Sequence, residues 1–263
     1  MKIREAVYVI DKEALQRIEE RLFELNAPHA IEENKQGIFL RSYDPRIDEF
    51  MKSEGFEPIE VKEVDPLGWI KNQLKEPFEL VRGVVVDPVG NYKGEEETVL
   101  RIPPGMAFGT GIHPTTRLAA SFIVDYFKKG MSFLDVGTGS GILSILAAKL
   151  GASEVLGIDL DKNAIEVAKD NAELNNVKVK FRLGDLLNGV KKKYDFVVAN
   201  IVPEVLKKMV NDSRRVMKNT SFLVLSGINE EELQNVLRLY KSVGLKVLEI
   251  RRDENWAAMI LKL

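Results

Sequence analysis

Three glycines at alternate positions, Gly137, Gly139 and Gly141 in "DVGTGSG", follow an apolar run and precede a helical one. Lacking side chains, they let a ligand approach the backbone and the free amides of a helix N-terminus. Asp159 ends the next apolar run, eighteen residues past Gly141. A carboxylate there can accept hydrogen bonds from both hydroxyls of a ribose, and the two features together imply a nucleoside-like ligand. The competing readings are a tight turn without a ligand for the glycines and a helix cap for Asp159. Asp185, in "GDLL", either accepts from the exocyclic amine of a base or shapes the turn behind Gly184. Asn200 closes "YDFVVAN" at the edge where open α/β sheets bind ligands, or else is a strand-end turn former.

A second glycine-rich run, "PGMAFGTGIHPTT" from Pro104 to Thr116, stands one helix earlier and is expected to act as a lid over the same site. Phe108 either lines the entrance or packs internally. His113 has no acidic partner nearby in sequence and is read as ordering the loop rather than as a base, and His29 is read as structural. Thr115 and Thr116 offer hydroxyls either to a ligand or to the helix that Pro114 begins.

These residues require a particular set of elements to position them. From Pro114 onward, apolar strands ("SFLDV", "EVLGIDL", "VKVKFRLG", "YDFVVANI", "SFLVLSG") alternate with amphipathic helices. That pattern predicts an α/β fold with a mostly parallel sheet covered on both faces. The last two runs, "KVLEIRRD" and "WAAMILKL", predict a hairpin turning at Asp253 to Asn255 that adds one antiparallel strand. Upstream, "ELVRGVVVDPV" and "ETVLRIPP" read as two strands. The first sixty residues read as a small α+β unit: strand "EAVYVI", a helix capped by Asp11, strand "GIFLRSY", a short helix near "PRIDEFMKSEG" and strand "FEPIEVKEV". Pro66, Gly68 and Pro77 mark a connector. The boundaries are 1–62 for the small domain, 63–76 for the linker and 77–263 for the large domain.

Composition narrows the function classes. The absence of cysteine excludes disulfides, thiol nucleophiles and thiolate metal sites, and two histidines exclude a multi-histidine metal cluster; no metal is expected. A formal net charge of −2 disfavours direct nucleic-acid binding. No run approaches the roughly 20 apolar residues of a membrane span, so the expected location is cytoplasmic. Residues 1–62 carry 10 Lys and Arg against 14 Asp and Glu, which makes the small domain the acidic one.

The glycine spacing is G-x-G-x-G; in the dinucleotide fingerprint G-x-G-x-x-G, the third glycine counted from Gly137 would fall on Ile142. The loop, Asp159 and the terminal hairpin resemble the Rossmann-like class I methyltransferases, which use S-adenosylmethionine. The resemblance narrows with "GMAFGTGIHPTTRLA", "LDVGTGSGILSILAAKLGA", "GIDLDKNAIEVAKDNAELN" and "ANI" behind a small N-terminal domain. Together these resemble the ribosomal protein L11 methyltransferases, the PrmA family. That resemblance implies methyl transfer to lysine side chains and the N-terminal amine of L11, with the small domain recognising that protein; a monomer is expected. It implies cofactor contacts at Thr116, Gly137, Asp159 and Asn200, to which the residue reading adds Phe108, Gly139, Gly141 and Asp185. Asn200 is the candidate catalytic residue, its amide oxygen accepting from an amine nucleophile and aiming the lone pair. Ile201, Val202 and Pro203 depart from the "NPPY"-type sequence of methyltransferases that modify planar amides or bases. Pro103 stands where that family commonly has aspartate, which leaves any role of that carboxylate without a counterpart.

Overall fold

The computed structural model describes residues 3–25, 27, 29–34, 37–64, 76–94, 98–104 and 109–263. They fall into two compact units, one drawn from residues 1–75 with 104–106, the other from 76–103 and 107–263.

In the first unit, β1 (Ile3–Ile10) lies between β3 (Gly37–Ser42) and β4 (Glu60–Val64), and β2 (His29–Asn34) flanks β3. Every pairing is antiparallel. Two helices, α1 (Lys12–Leu25) and α2 (Pro45–Ser53), supply Ile18, Leu22, Ile47 and Met51 to a core with Tyr8 and Leu40 of the sheet. Asp11 caps α1 as expected, its Oδ1 accepting from the Ala14 amide at 2.7 Å. Strand β2 was not foreseen. Its sequence, "HAIEEN", carries two glutamates, because an edge strand has one open side and does not need strict apolar alternation. His29 is structural: its Nδ1 lies 2.8 Å from the Ala27 carbonyl, and burial pushes its pKa down. Most of the connector expected over 63–76 lies outside the described residues.

The second unit opens with a three-stranded sheet of β5 (Phe78–Val81), β6 (Val84–Asp87) and β7 (Thr98–Arg101). The run read as one strand, "ELVRGVVVDPV", is in fact a hairpin. Gly83 at φ +78° turns the chain where other residues would be strained.

The main sheet has the order β10-β9-β8-β11-β12-β14-β13. Its strands are β8 (Ser132–Val136), β9 (Glu154–Asp159), β10 (Lys180–Leu183), β11 (Tyr194–Asn200), β12 (Met217–Asn229), β13 (Lys246–Asp253) and β14 (Trp256–Lys262). As expected, β14 alone runs against the others, hydrogen-bonded antiparallel to both β12 and β13. The helices between them are α3 (Pro114–Tyr126), α4 (Ile142–Lys149), α5 (Lys162–Leu174), α6 (Pro203–Ser213) and α7 (Glu230–Ser242).

Successive strand residues face opposite sides of the sheet. Leu134, Val136, Val197 and Ala199 therefore share one face with Leu206 and Met209 of α6 and Val236 of α7. Phe133 and Phe196 stack on the other face, 5.7 Å apart, with Phe127 against both. Every residue of β8 is buried, as a central strand covered on both faces must be. No helix among the described residues is long and apolar enough to cross a membrane.

Candidate active site

The parallel strands deliver the C-terminal ends of β8, β9, β10 and β11 to one edge of the sheet. Between β8 and α4 the chain runs through Gly137, Gly139 and Gly141 with φ of +75°, +53° and +83°, all left-handed. A Cβ at Gly137 would collide with Cγ2 of Ile201, just past β11, and one at Gly141 would press on Cβ of Ala168 at 3.1 Å. Glycine is thus required here by both backbone conformation and packing.

Asp159 holds this loop from the neighbouring strand. Its Oδ2 accepts from the Gly139 amide at 2.8 Å and its Oδ1 from the Asp161 amide at 3.0 Å. The helix cap considered for Asp159 belongs instead to Asp161, which accepts from the Asn163 amide at 2.8 Å. Leu160 beside it is 73% exposed, an apolar side chain displayed at the rim of the loop. The Gly184 amide donates to the Asp159 carbonyl at 2.8 Å, which brings exposed Asp185 to the same rim. Asp185 also serves its turn, accepting from Asn188 Nδ2 at 3.3 Å.

The second glycine-rich segment is stitched to the first. Ser140 Oγ donates to the Gly109 carbonyl at 2.6 Å, and Gly111 lies against Ile142 with no room for a larger side chain. His113 caps α3: its Nδ1 accepts from the Thr115 amide at 3.3 Å and its ring meets Trp256 edge-on at 5.0 Å. Both contacts belong to a loop-ordering residue. Gly105, Met106 and Phe108 lie outside the described residues, and with them much of the expected lid and the site role expected of Phe108.

Thr116 and Asn200, 84 residues apart, meet at this edge, with Asn200 Nδ2 donating to Thr116 Oγ1 at 3.4 Å. Both are buried. The Asn200 Oδ1 has no hydrogen-bond partner among the described residues. A buried acceptor left unpaired carries a desolvation penalty of about 1–3 kcal/mol, and such a penalty at a ligand-binding edge marks an acceptor aimed at something outside the chain. Ser226, level with Asn200 on β12, anchors the helix start by donating to the Thr115 carbonyl at 2.8 Å.

One part of the site escaped the sequence reading. Asp135 is fully buried beneath the glycine loop, and its Oδ2 accepts from Thr138 Oγ1 and Ser144 Oγ, both at 2.7 Å. The Asp-x-x-Thr spacing was a usable signal; Ser144, a turn into α4, was not. Burial pushes the Asp135 carboxyl up to about 6, against the opposing pull of the two hydroxyls. The folded protein therefore keeps this proton longer than the unfolded chain, and stability falls as pH rises from about 4 through 6. The linked loss is about 3 kcal/mol. Asp135→Asn removes the titration, so urea unfolding from pH 4 to 7 should show wild type losing ground to the variant; parallel profiles would contradict the assignment.

Among the described residues no group of three or more His, Cys, Asp or Glu is placed to hold a metal ion. A family model described as ribosomal protein L11 methyltransferase (PrmA) matches residues 7–263. A relative from Thermosipho melanesiensis, named ribosomal protein L11 methyltransferase, is 41% identical over 99% of this chain and 98% of its own. One of the same name from Thermotoga maritima is 38% identical over 100% of this chain and 99% of its own. The crystal structure of a ribosomal protein L11 methylase from Lactobacillus delbrueckii subsp. bulgaricus superposes with a TM-score of 0.68 at 30% identity, covering 71% of this chain and 97% of that one.

Proposed function

Because the chain belongs to the ribosomal protein L11 methyltransferase family, we propose that it transfers methyl groups from S-adenosylmethionine to amines of ribosomal protein L11, namely lysine side chains and the N-terminal amine. The observation that carries this reading is the buried, unpartnered Oδ1 of Asn200 beside Thr116 at the ligand-binding edge.

The bound cofactor supplies an electrophilic methyl group on a sulfonium. The residues present suit it: the left-handed glycine loop leaves backbone open to a ligand, and the Asp159 carboxylate, partly exposed, has acceptor capacity for ribose hydroxyls. Leu160 offers an apolar surface to the base, and Asp185 an acceptor to its exocyclic amine. Thr116 provides a hydroxyl next to Asn200.

The acceptor amine must arrive neutral. Partial burial beside a positive sulfonium lowers the pKa of a lysine, and its proton can leave to water. Asn200 Oδ1 then accepts an N–H of the neutral amine, which turns the nitrogen lone pair along the line of displacement. Positioning of this kind contributes up to roughly 7–11 kcal/mol without a covalent nucleophile.

The small acidic unit, residues 1–62, is assigned to substrate recognition and residues 77–263 to catalysis, joined by 63–76. Its excess of four negative charges suits a basic ribosomal protein. A cytoplasmic monomer completes the assignment.

Incubation with radiolabelled S-adenosylmethionine and purified L11, followed by mass spectrometry, tests the proposal. Labelled lysines and N-terminus are expected, and L11 left unlabelled would sink it. Thr116→Val keeps the side-chain shape and removes one hydroxyl. Cofactor affinity, read by calorimetry, should fall about fivefold to tenfold, the value of one hydrogen bond, while the unfolding midpoint moves little. An unchanged affinity would count against the contact.

A further inference from the structure

Glycine gives up more conformational freedom on ordering than any other residue, and the loop after β8 places Gly137, Gly139 and Gly141 at alternate positions. A slack loop would have to be ordered by the cofactor itself, at the expense of affinity. Asp159 holds one point of it, the Gly139 amide. The next residue, Ser140, sits at the bend of a turn closed by the Gly141 amide donating to the Thr138 carbonyl at 2.8 Å. Ser140 is buried, and a buried carbonyl needs a donor. Asn171 Nδ2, from α5, supplies it at 2.9 Å.

Asn171 belongs to a stripe that seats the loop. Ala168, Asn171 and Asn175 recur at three- and four-residue spacing, which puts them on one helix face. Ala168 is small enough to admit Gly141, whose added Cβ would lie only 3.1 Å away. Asn175, the C-terminal cap of α5, grips the end of β7: its Oδ1 accepts from the Arg101 amide at 2.9 Å and its Nδ2 donates to the Arg101 carbonyl at 2.8 Å. Between them Asn171 is buried in the last turns of the helix, where alanine has the better propensity. What its amide adds is the bond to Ser140. Ser140 passes the constraint on, because its hydroxyl donates to the Gly109 carbonyl at 2.6 Å. Gly109 stands at φ +96°, and a Cβ there would lie 3.0 Å from that hydroxyl oxygen. Ser140 is therefore a junction, its carbonyl tied to α5 and its side chain to the second glycine-rich run.

We propose that Asn171 is a positioning residue for cofactor binding, holding Ser140 so that the glycine loop and Gly109 are set before S-adenosylmethionine arrives. The inference rests on the proposed seat of the cofactor over Gly137 to Gly141. Asn171 acts through the Ser140 peptide, and so on cofactor affinity rather than on the methyl-transfer step.

The test uses the full-length protein and two variants, Asn171→Ala and Asn171→Leu, the second keeping the buried volume while removing the donor. Calorimetric titration with S-adenosylmethionine should show both binding about tenfold more weakly, the value of one hydrogen bond. In steady-state methylation the KM for the cofactor should rise by the same factor, with kcat at saturation within about twofold of wild type. Hydrogen exchange of the cofactor-free protein should quicken in the peptide covering residues 137–142 and stay as in wild type over β11 and β12. Asn175→Ala, which leaves the Ser140 bond in place, should bind the cofactor within about threefold of wild type. Unchanged affinity in both Asn171 variants overturns the proposal. So does an equal loss in Asn175→Ala, or exchange quickened across the whole sheet, since either marks a residue that only stabilises the fold. Titration and exchange need no acceptor: L11 left unlabelled by wild type refutes the proposed function, while these two measurements still decide the role of Asn171.

Discussion

Asn200→Ala should lower kcat for methyl transfer to L11 by about 10²-fold or more while the folded protein becomes no less stable. The two halves of this expectation have one origin. Asn200 is buried with its Oδ1 unpaired among the described residues, so in the free protein that oxygen contributes a desolvation penalty rather than a bond. Truncation removes the penalty together with a long 3.4 Å contact to Thr116, and the unfolding midpoint should stay level or rise. With L11 amine in place, the same oxygen orients the nucleophile, and losing that alignment is worth about two orders of magnitude. Single-turnover rates and cofactor titrations separate the contributions. A loss confined to cofactor affinity, with the single-turnover rate intact at saturation, would show that Asn200 does not position the amine. A loss of stability matching the loss of rate would show that its role is structural.

Asp159→Ala should weaken S-adenosylmethionine binding by about 10²-fold. Hydrogen bonds to an ionised carboxylate are worth about 1.5–3 kcal/mol each, and this one is proposed to take the ribose hydroxyls. The carboxylate also holds the Gly139 amide at 2.8 Å and the Asp161 amide at 3.0 Å. Its removal therefore frees the glycine loop as well as the ribose. Asp159→Asn keeps one acceptor oxygen and should fall between the variant and wild type. Calorimetric titration reads both, and affinities within threefold of wild type for Asp159→Ala would dismiss the ribose contact.

Each of these residues was legible in sequence as a candidate because its signal is local. Gly137, Gly139 and Gly141 between an apolar run and a helix, and an acid at the end of the next run, follow from the short-range geometry of a strand–turn–helix unit. The same short-range periodicity is enough to foresee a parallel sheet with a terminal hairpin. It fails at β2, where an exposed edge relaxes the alternation, and at "ELVRGVVVDPV", where one glycine splits a run of β-formers.

What a side chain faces is another matter. Whether Asp159 or Asp161 caps α5, that Thr116 meets Asn200, and that Asp135 lies dry beneath the loop with Thr138 and Ser144 all depend on partners brought together by strand order. By itself the sequence determined the elements, their order and the glycine loop, because backbone preference and apolar period act over a few residues. The tertiary structure alone decided which buried groups are paired and which are not. Desolvation and hydrogen bonding are settled between residues tens of positions apart, and one unpaired oxygen on Asn200 is where that difference matters most.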